Sequence, residues 1–191
     1  MNEEVIVKSK NFLVVPSQPS HWGNIAKWMS FNEKEFFYTS ATLKFPVTSK
    51  SFEKFKKSFD GKDSNRDFLE VYHLPTDRHV GHFELKDINI ENGTGTLAHI
   101  ILGERDLRGK GFGREFCLLM ADYGFNFRGL YRLSVSVHCC NQPAVLAYKK
   151  GGFFMEGTIR DVIKNNGKRY SLYQMSLLRP EWEENLKRLK K

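Results

Sequence analysis

The spacing of apolar residues along the chain predicts several amphipathic helices. The longest helix-like segment, residues 112–127, repeats its apolar positions at intervals of three and four, which gathers them on one face. We expect that face to be buried in the core. Its members are Phe112, Phe116, Leu119, Met120, Tyr123 and Phe127.

Other helices are predicted on either side of this segment. Residues 21–38 form one, with Ser20 as candidate N-cap, and residues 49–59 form another. Shorter helices begin near Pro143 and Pro180.

Alternation of period two predicts strands between the helices. Polar turns at Pro75 to Asp77 and Asn165 to Gly167 join candidate hairpins. No repeat or low-complexity linker interrupts the order, which predicts an α/β (α+β) class and one domain over residues 1–191. The predicted strands are residues 5–15, 67–73, 78–88, 96–102, 131–137, 153–160 and 169–178.

A glycine-rich turn stands between the fourth of these strands and the long helix. A helix N-terminus has backbone N–H groups without intrahelical partners and carries partial positive charge, so it suits an anion. Glycines let a ligand approach the backbone closely, and three cations add charge. The turn predicts a phosphate or pyrophosphate site, and a charged surface turn is the alternative. Its residues are Arg108, Gly109, Lys110, Gly111, Phe112, Gly113 and Arg114.

Two common phosphate motifs do not fit this turn. A P-loop requires Gly, four residues and then Gly-Lys-Ser/Thr, and the chain has no such run. In the dinucleotide motif G-x-G-x-x-G, counting from Gly109 puts Arg114 at the third glycine, and counting from Gly111 finds no third glycine.

A second segment gives the turn a context. Residues 141–153 read Asn-Gln-Pro-Ala-Val-Leu-Ala-Tyr-Lys-Lys-Gly-Gly-Phe. Together with Arg108-x-x-Gly111-x-Gly113, they resemble the signature of the GNAT acetyltransferase superfamily. From residue 81 to 182 the chain is similar to the branch that contains the ribosomal-protein N-terminal acetyltransferases. It departs from that branch at Tyr170-Ser171, where many members have an aspartate, and at residues 13–16, where an arginine is usual.

The resemblance implies a fold and a cofactor. The fold is the GNAT acyl-CoA N-acyltransferase fold, a mixed central sheet with helices on both faces. Acetyl-CoA is the implied co-substrate, with its pyrophosphate on the backbone of residues 109–114 and its pantetheine arm between two splayed parallel strands, residues 100–103 and 133–137. The implied cofactor-binding residues are Ile101, Leu102, Gly103, the turn from Arg108 to Arg114, Asn141 and Tyr148.

Asn141 and Tyr148 each allow two interpretations. Asn141 precedes Gln-Pro and suits a helix N-cap, whereas the resemblance adds a contact to cofactor or acceptor. Tyr148 suits a core aromatic, whereas its Tyr-x-x-Gly-Phe context matches the family position whose hydroxyl approaches the coenzyme sulfur. We expect Tyr148 to protonate the departing thiolate.

The general base is open between two candidates. Glu84 lies on a predicted strand with His82 on the same face, and His99 comes shortly before the glycine turn. Each of them also suits a structural role, and a water chain ending on one of them is a further alternative.

The resemblance implies a primary amine as acceptor, and a protein N-terminal α-amine is the main expectation. An amine of pKa ~10.4 needs about 4.6 kcal/mol to lose its proton at pH 7, and an α-amine of pKa ~8 about 1.4. A polyamine, an amino sugar, an aminoglycoside or a CoA sensor without turnover are alternatives. We expect residues 28–38, rich in aromatics, to wall the acceptor site, with Glu33 and Glu35 attracting a cation.

Composition fits one enzyme domain. The 191 residues carry a net charge of +8 and 16 phenylalanines. The basic residues are scattered, including residues 50–62 and 187–191, so nucleic-acid binding stands only as an alternative of another class. We expect no membrane span and, with no signal-peptide pattern at the start, a cytoplasmic protein. A homodimer is left open.

The cysteines predict no metal site. Cys117 falls on the inward face of the long helix and suits a buried apolar role, while Cys139 and Cys140 match no zinc spacing. Transfer through an acetylated cysteine is an alternative, with His138 adjacent to Cys139, but neither thiol stands in a recognisable nucleophile motif. We expect direct transfer.

Overall fold

A computed structural model describes residues 5–39, 43–59 and 65–189. The first residues of the chain, Lys62 in the first basic stretch and the last two lysines of the tail lie outside these ranges. Within them, no helix combines the length and the apolar character needed to cross a membrane.

Eight strands within the described residues form one mixed sheet, as the resemblance implies. The order is β1-β2-β3-β4-β5-β6-β8-β7, and of these described neighbours only β5 and β6 run parallel. The strands are β1 Val7–Lys8, β2 Phe12–Pro16, β3 Asp67–His73, β4 Arg78–Asn89, β5 Thr94–Leu102, β6 Arg132–His138, β7 Phe154–Asn165 and β8 Lys168–Leu178.

Helices cover both faces of the sheet and bury a separate core on each. The larger core packs α4 and α5 against the strands, and it contains the predicted buried residue Cys117. The smaller core packs α1 and α3 around Phe52, which is fully buried. The helices are α1 Trp22–Met29, α2 Glu33–Thr39, α3 Ser49–Lys57, α4 Phe112–Asp122, α5 Gln142–Lys150 and α6 Arg179–Leu189.

The two parallel strands in the centre of the sheet part before they end. Their pairing runs from Thr94 with Arg132 to Leu97 with Val135, but β5 continues to Leu102 and β6 to His138. A β-bulge accompanies the parting, because the pairing of β4 with β5 shifts register there and His99 takes a positive φ of 43°. An opening therefore forms between β5 and β6 at their C-terminal ends.

Polar side chains divide the predicted helix of residues 21–38 into α1 and α2. Helix α1 ends at its C-cap Ser30, whose hydroxyl accepts the Val47 N–H at 2.5 Å and donates to the Val47 carbonyl at 3.0 Å. Helix α2 then begins after Asn32, whose side-chain oxygen accepts the N–H of Glu35 at 2.9 Å. Ser20 is not the N-cap of α1; His21 occupies that position, without a side-chain cap.

Two other predicted elements are also interrupted. Residues 5–15 form β1 and β2, joined by a turn in which the Ser9 N–H bonds the carbonyl of Phe12. The α-helical part of residues 112–127 ends at Asp122 and continues as a wider π-helical turn. The wider turn moves Phe127 off the buried face, so its side chain is 54% exposed rather than core.

A substitution at Gly103 tests whether stability depends on the close approach of α1 to the end of β5. A Cβ at Gly103 would overlap the Trp28 ring, whereas a Cβ at Gly157 would meet nothing within 4 Å. We expect Gly103→Ala to lower the free energy of unfolding by about 1–3 kcal/mol, as overpacking does. Urea denaturation measures the loss, with Gly157→Ala as matched control. Equal stability of the two variants would show that α1 does not need this contact.

Candidate active site

The glycine turn has the conformation of an anion site. Gly109 and Gly111 have φ values of +74° and +85°, and both are exposed, with nothing within 4 Å of the position a Cβ would take. Gly111 precedes α4 without a side-chain cap, so the first N–H groups of the helix stay available to a ligand. Gly113 serves packing instead, since its Cβ position lies 3.1 Å from the Ala147 Cβ on α5.

Arg108 turns its side chain away from this anion seat. Its Nε donates to the carbonyl oxygen of Leu102 at 2.8 Å, and its Nη1 pairs with Glu35 Oε1 at 2.7 Å. Part of the positive charge that the sequence brings to the turn is therefore paired, and Glu35, expected to attract an amine, already has a cationic partner in Arg108. That Arg108 binds the cofactor stays a prediction. Lys110 and Arg114 remain exposed at the turn.

Helix α2 crosses the opening between the parted strands. On the β5 side it is held by the Arg108–Glu35 pair. On the β6 side, the Phe37 ring lies 4.2 Å from the His138 ring, and the Tyr38 hydroxyl donates to the Cys140 carbonyl at 3.5 Å. The aromatic residues of α2 thus lie beside the opening, and that they wall an acceptor site stays a prediction.

The residues predicted to line the pantetheine arm face both sides of the sheet. Ile100 and Leu102 pack against the larger core, whereas Ile101 is buried in the smaller core and Gly103 lies under Trp28. Because β5 has no partner strand on this side beyond Leu97, its backbone edge borders the opening.

Tyr148 is buried on α5 in the larger core. Its ring lies 5.6 Å from the Phe153 ring, and no described residue is a hydrogen-bond partner of its hydroxyl. Burial raises the pKa of this hydroxyl further above its usual value, so it stays protonated at neutral pH. The hydroxyl therefore carries a proton, as an ordinary tyrosine does, and burial makes it a weaker acid.

Asn141 occupies the N-cap position of α5, as its sequence context suggests. Its carbonyl accepts the N–H of Val145 at 3.1 Å, but its side chain makes no cap hydrogen bond. The capping interpretation accounts for its backbone and leaves its side-chain amide for another partner.

Glu84 lies at the centre of a buried polar cluster. It is fully buried, and its Oε2 lies 2.9 Å from Arg66 Nη1, while its Oε1 lies 2.9 Å from His99 Nδ1 and 3.5 Å from His82 Nε2. His82 and Glu84 share one face of β4, as the alternation predicts. Burial acts to raise the pKa of the carboxyl, but His99 and His82 outweigh it and hold the pKa at about 2. An ionised carboxylate whose oxygens already have partners in Arg66 and the two histidines suits positioning better than proton removal.

His99 stands at the bulge of β5 with its ring against Phe55, at 5.4 Å between centroids. Its side chain is 8% exposed. Since Glu84 lies beside Nδ1, the other ring nitrogen is the one directed elsewhere. Glu84 and His99 were both predicted from the sequence. Arg66, which immediately precedes β3 and pairs with Glu84, was not, because nothing in the sequence around it indicates this pairing.

A cavity of about 450 Å³ opens between α2 and the far end of β7. Glu33 brings a carboxylate to it, and Phe36, Phe37 and Phe45 bring aromatic rings. The opposite wall, residues 162–166, was not predicted from the sequence, because nothing in its letters marks it as facing α2.

A family model for the acetyltransferase (GNAT) domain matches residues 21–172. The match extends over most of the chain and includes the glycine turn, the parted strands and Tyr148. The chain belongs to the GNAT acetyltransferase family.

Individual relatives in this family share only about 30% of their residues with this chain, over about half of its length. The chain is 29% identical over 106 residues to an uncharacterized N-acetyltransferase derived from prophage SPbeta of Bacillus subtilis, covering 56% of this chain and 59% of the relative. It is 30% identical over 103 residues to the spermidine N(1)-acetyltransferase of Escherichia coli K12, covering 54% of each. The chain thus spans less than two thirds of the length of the curated relatives it matches.

Solved structures agree on the fold. The Vibrio cholerae spermidine N-acetyltransferase in complex with CoA and spermine superposes with a TM-score of 0.74 at 20% identity, covering 92% of this chain and 99% of that one. The ribosomal-protein-S5-alanine acetyltransferase of Vibrio fischeri superposes with a TM-score of 0.73 at 16% identity, covering 92% and 97%. The fold itself is therefore common to enzymes named for a small-molecule acceptor and for a protein acceptor.

Proposed function

We propose that this protein transfers the acetyl group of acetyl-CoA to a primary amine of a small polycationic acceptor such as a polyamine. The observation that carries the transfer is the conjunction of three features at one end of the sheet: an exposed anion-binding turn, an opening between parallel strands, and a protonated buried tyrosine. The relatives named for spermidine favour the small-molecule acceptor over the protein N-terminus expected from the sequence.

The proposed coenzyme site follows the elements around the opening. Backbone N–H groups from Gly109 to Arg114 hold the pyrophosphate, with Lys110 and Arg114 as exposed cations beside it. The pantetheine arm extends along the free edge of β5 at Ile101 to Gly103, and Asn141 offers its side-chain amide from the opposite side.

The proposed acceptor site is the cavity beside α2. Glu33 offers a carboxylate to a cation, and Phe36, Phe37 and Phe45 offer ring faces to which alkyl ammonium groups bind. Lys164 at the other wall repels a cation, so attraction is local to the α2 side. The net charge of +8 gives no long-range attraction for such an acceptor.

The chemistry needs more help with a polyamine than with an α-amine. An amine of pKa ~10.4 must lose a proton at a cost of about 4.6 kcal/mol at pH 7. We assign that proton to His99, acting directly or through water, with Glu84 positioning the imidazole. Attack on the thioester then expels the coenzyme thiolate, and the Tyr148 hydroxyl donates a proton to it.

An acceptor screen tests the proposed function. With acetyl-CoA as donor, we expect thiol release with spermidine or spermine, and none above background with peptides bearing a free N-terminus or with aminoglycosides. Glu33→Gln raises KM for the polyamine, because an attractive charge is lost, and Lys34→Gln is the matched exposed control on the same helix. Turnover of peptides instead would return the protein N-terminus as acceptor. No binding of acetyl-CoA by calorimetry would refute the transfer itself.

Tyr148→Phe separates chemistry from coenzyme binding. The loss of one hydroxyl leaves the packing against Phe153 in place, so we expect kcat to fall by about 10²-fold or more while the dissociation constant of CoA stays nearly unchanged. Tyr131→Phe, at an exposed position, is the control. Unchanged kcat in the Tyr148 variant would remove the hydroxyl from the mechanism.

His99→Asn tests proton removal through its pH dependence. If His99 takes the ammonium proton, the deficit in kcat/KM is largest near neutral pH and shrinks as pH rises toward ~10, because the free amine becomes abundant. His73→Asn, a histidine of β3 bonded to Thr76 outside this cluster, is the control. A deficit of constant size across this range would assign His99 a structural role.

A further inference from the structure

Three side chains from separate elements converge beside the start of α1, away from the residues assigned to transfer. His21 precedes α1, Glu70 lies on β3 and His79 on β4. His21 Nδ1 lies 2.8 Å and His79 Nε2 3.8 Å from Glu70 Oε2. One ligand atom from each residue lies within 4.8 Å of the other two.

Glu70 is fully buried, and the basic side chains within ion-pair distance of it in the described chain are histidines, with no lysine or arginine. Its other oxygen, Oε1, accepts the Ser17 hydroxyl at 2.9 Å and the Gln18 N–H at 2.8 Å. The carboxylate is thus held with Oε2 directed at the two imidazoles. A buried carboxylate without a permanent cation suits a bound positive ion.

The surroundings of the histidines restrict solvent and hold the rings. His79 lies 4.7 Å from the Trp28 ring and stacks on Tyr72 at 5.4 Å, and its side chain is 5% exposed. Its Nε2 donates to the Gly81 carbonyl at 3.0 Å, so an ion at Nε2 takes the place of that ring proton. His21 is 26% exposed, which leaves a path for an ion to enter, and the Tyr72 hydroxyl lies 3.2 Å from its Nδ1.

Two imidazoles and one carboxylate are a ligand set for borderline metal ions. Zinc binds histidine nitrogen and carboxylate oxygen at ~2.0–2.2 Å, so tetrahedral ligands lie roughly 3.3–3.6 Å apart. The two separations from Glu70 Oε2, 2.8 and 3.8 Å, bracket that value, so binding needs small side-chain movements and loss of the hydrogen bond from His79 Nε2 to the Gly81 carbonyl. The prediction that the chain has no metal site rested on the spacing of its cysteines. Cysteine spacing carries no information about ligands that come together from three distant elements.

We propose that His21, Glu70 and His79 bind one divalent transition-metal ion, with water as a further ligand. The ion takes no part in acetyl transfer. It fastens the start of α1 to β3 and β4, and α1 carries Trp28 over Gly103 at the end of β5. The alternative for the same residues is a metal-free network in which His21 is hydrogen-bonded to Glu70.

Zinc content and affinity of the full chain test this proposal. An untagged protein is treated with EDTA, dialysed and titrated with ZnCl2 by calorimetry, and metal bound after gel filtration is counted by mass spectrometry. We expect one zinc per chain and a rise in Tm on zinc addition. Cobalt(II) in place of zinc gives visible absorption bands that report histidine ligation. Absence of stoichiometric zinc would overturn the proposal.

Matched variants locate the ion. His21→Asn, at a partly exposed position, and Glu70→Gln, which keeps an acceptor for Ser17, should each lower zinc affinity by more than the roughly 10- to 100-fold that loss of an outer partner costs. His73→Asn should bind zinc like the unaltered chain. Circular dichroism checks folding, and if Glu70→Gln does not fold, His21→Asn decides alone. Zinc affinity unchanged in His21→Asn would place the ion elsewhere and refute the site.

Discussion

The end of pairing between two parallel strands is the constraint on which the rest of the site depends. Beyond Leu97 and Val135, β5 and β6 no longer share hydrogen bonds, although both continue. A backbone edge within a sheet needs partners for its polar groups, and here the sheet leaves that edge facing an opening. The bulge at His99, the glycine turn after β5 and the crossing of α2 all lie around this gap.

The helix that crosses the gap is held by side chains rather than by continuous packing. Glu35 pairs with Arg108 on one side, and Phe37 and Tyr38 contact the end of β6 on the other. The bonds of Ser30 to Val47 separate α2 from α1 and set its direction. The break between α1 and α2 therefore sets the position of the α2 residues that line one side of the cavity.

Local signals allowed much of this arrangement to be predicted from the sequence. The strand, glycine turn and helix from residue 94 to 122, the start of α5 at Pro143 and the β7–β8 turn at Asn166 and Gly167 are specified by neighbours in the chain, because positive φ and missing N–H groups are properties of single residues. Pairings between distant residues were not predictable. The pairing of Arg66 with Glu84, Arg108 with Glu35, and His21 with Glu70 depends on how elements pack, and periodicity carries no information about it.

Arg108 links three elements around the opening: the glycine turn, the end of β5 and helix α2. A single guanidinium bonds the carbonyl of Leu102 at the end of β5 and the carboxylate of α2, while its own backbone opens the glycine turn. The glycine turn and α2 are therefore linked through one side chain. If binding at the turn shifts α2, a ligand beside α2 changes binding at the turn by the same free energy, since coupling between two sites is reciprocal.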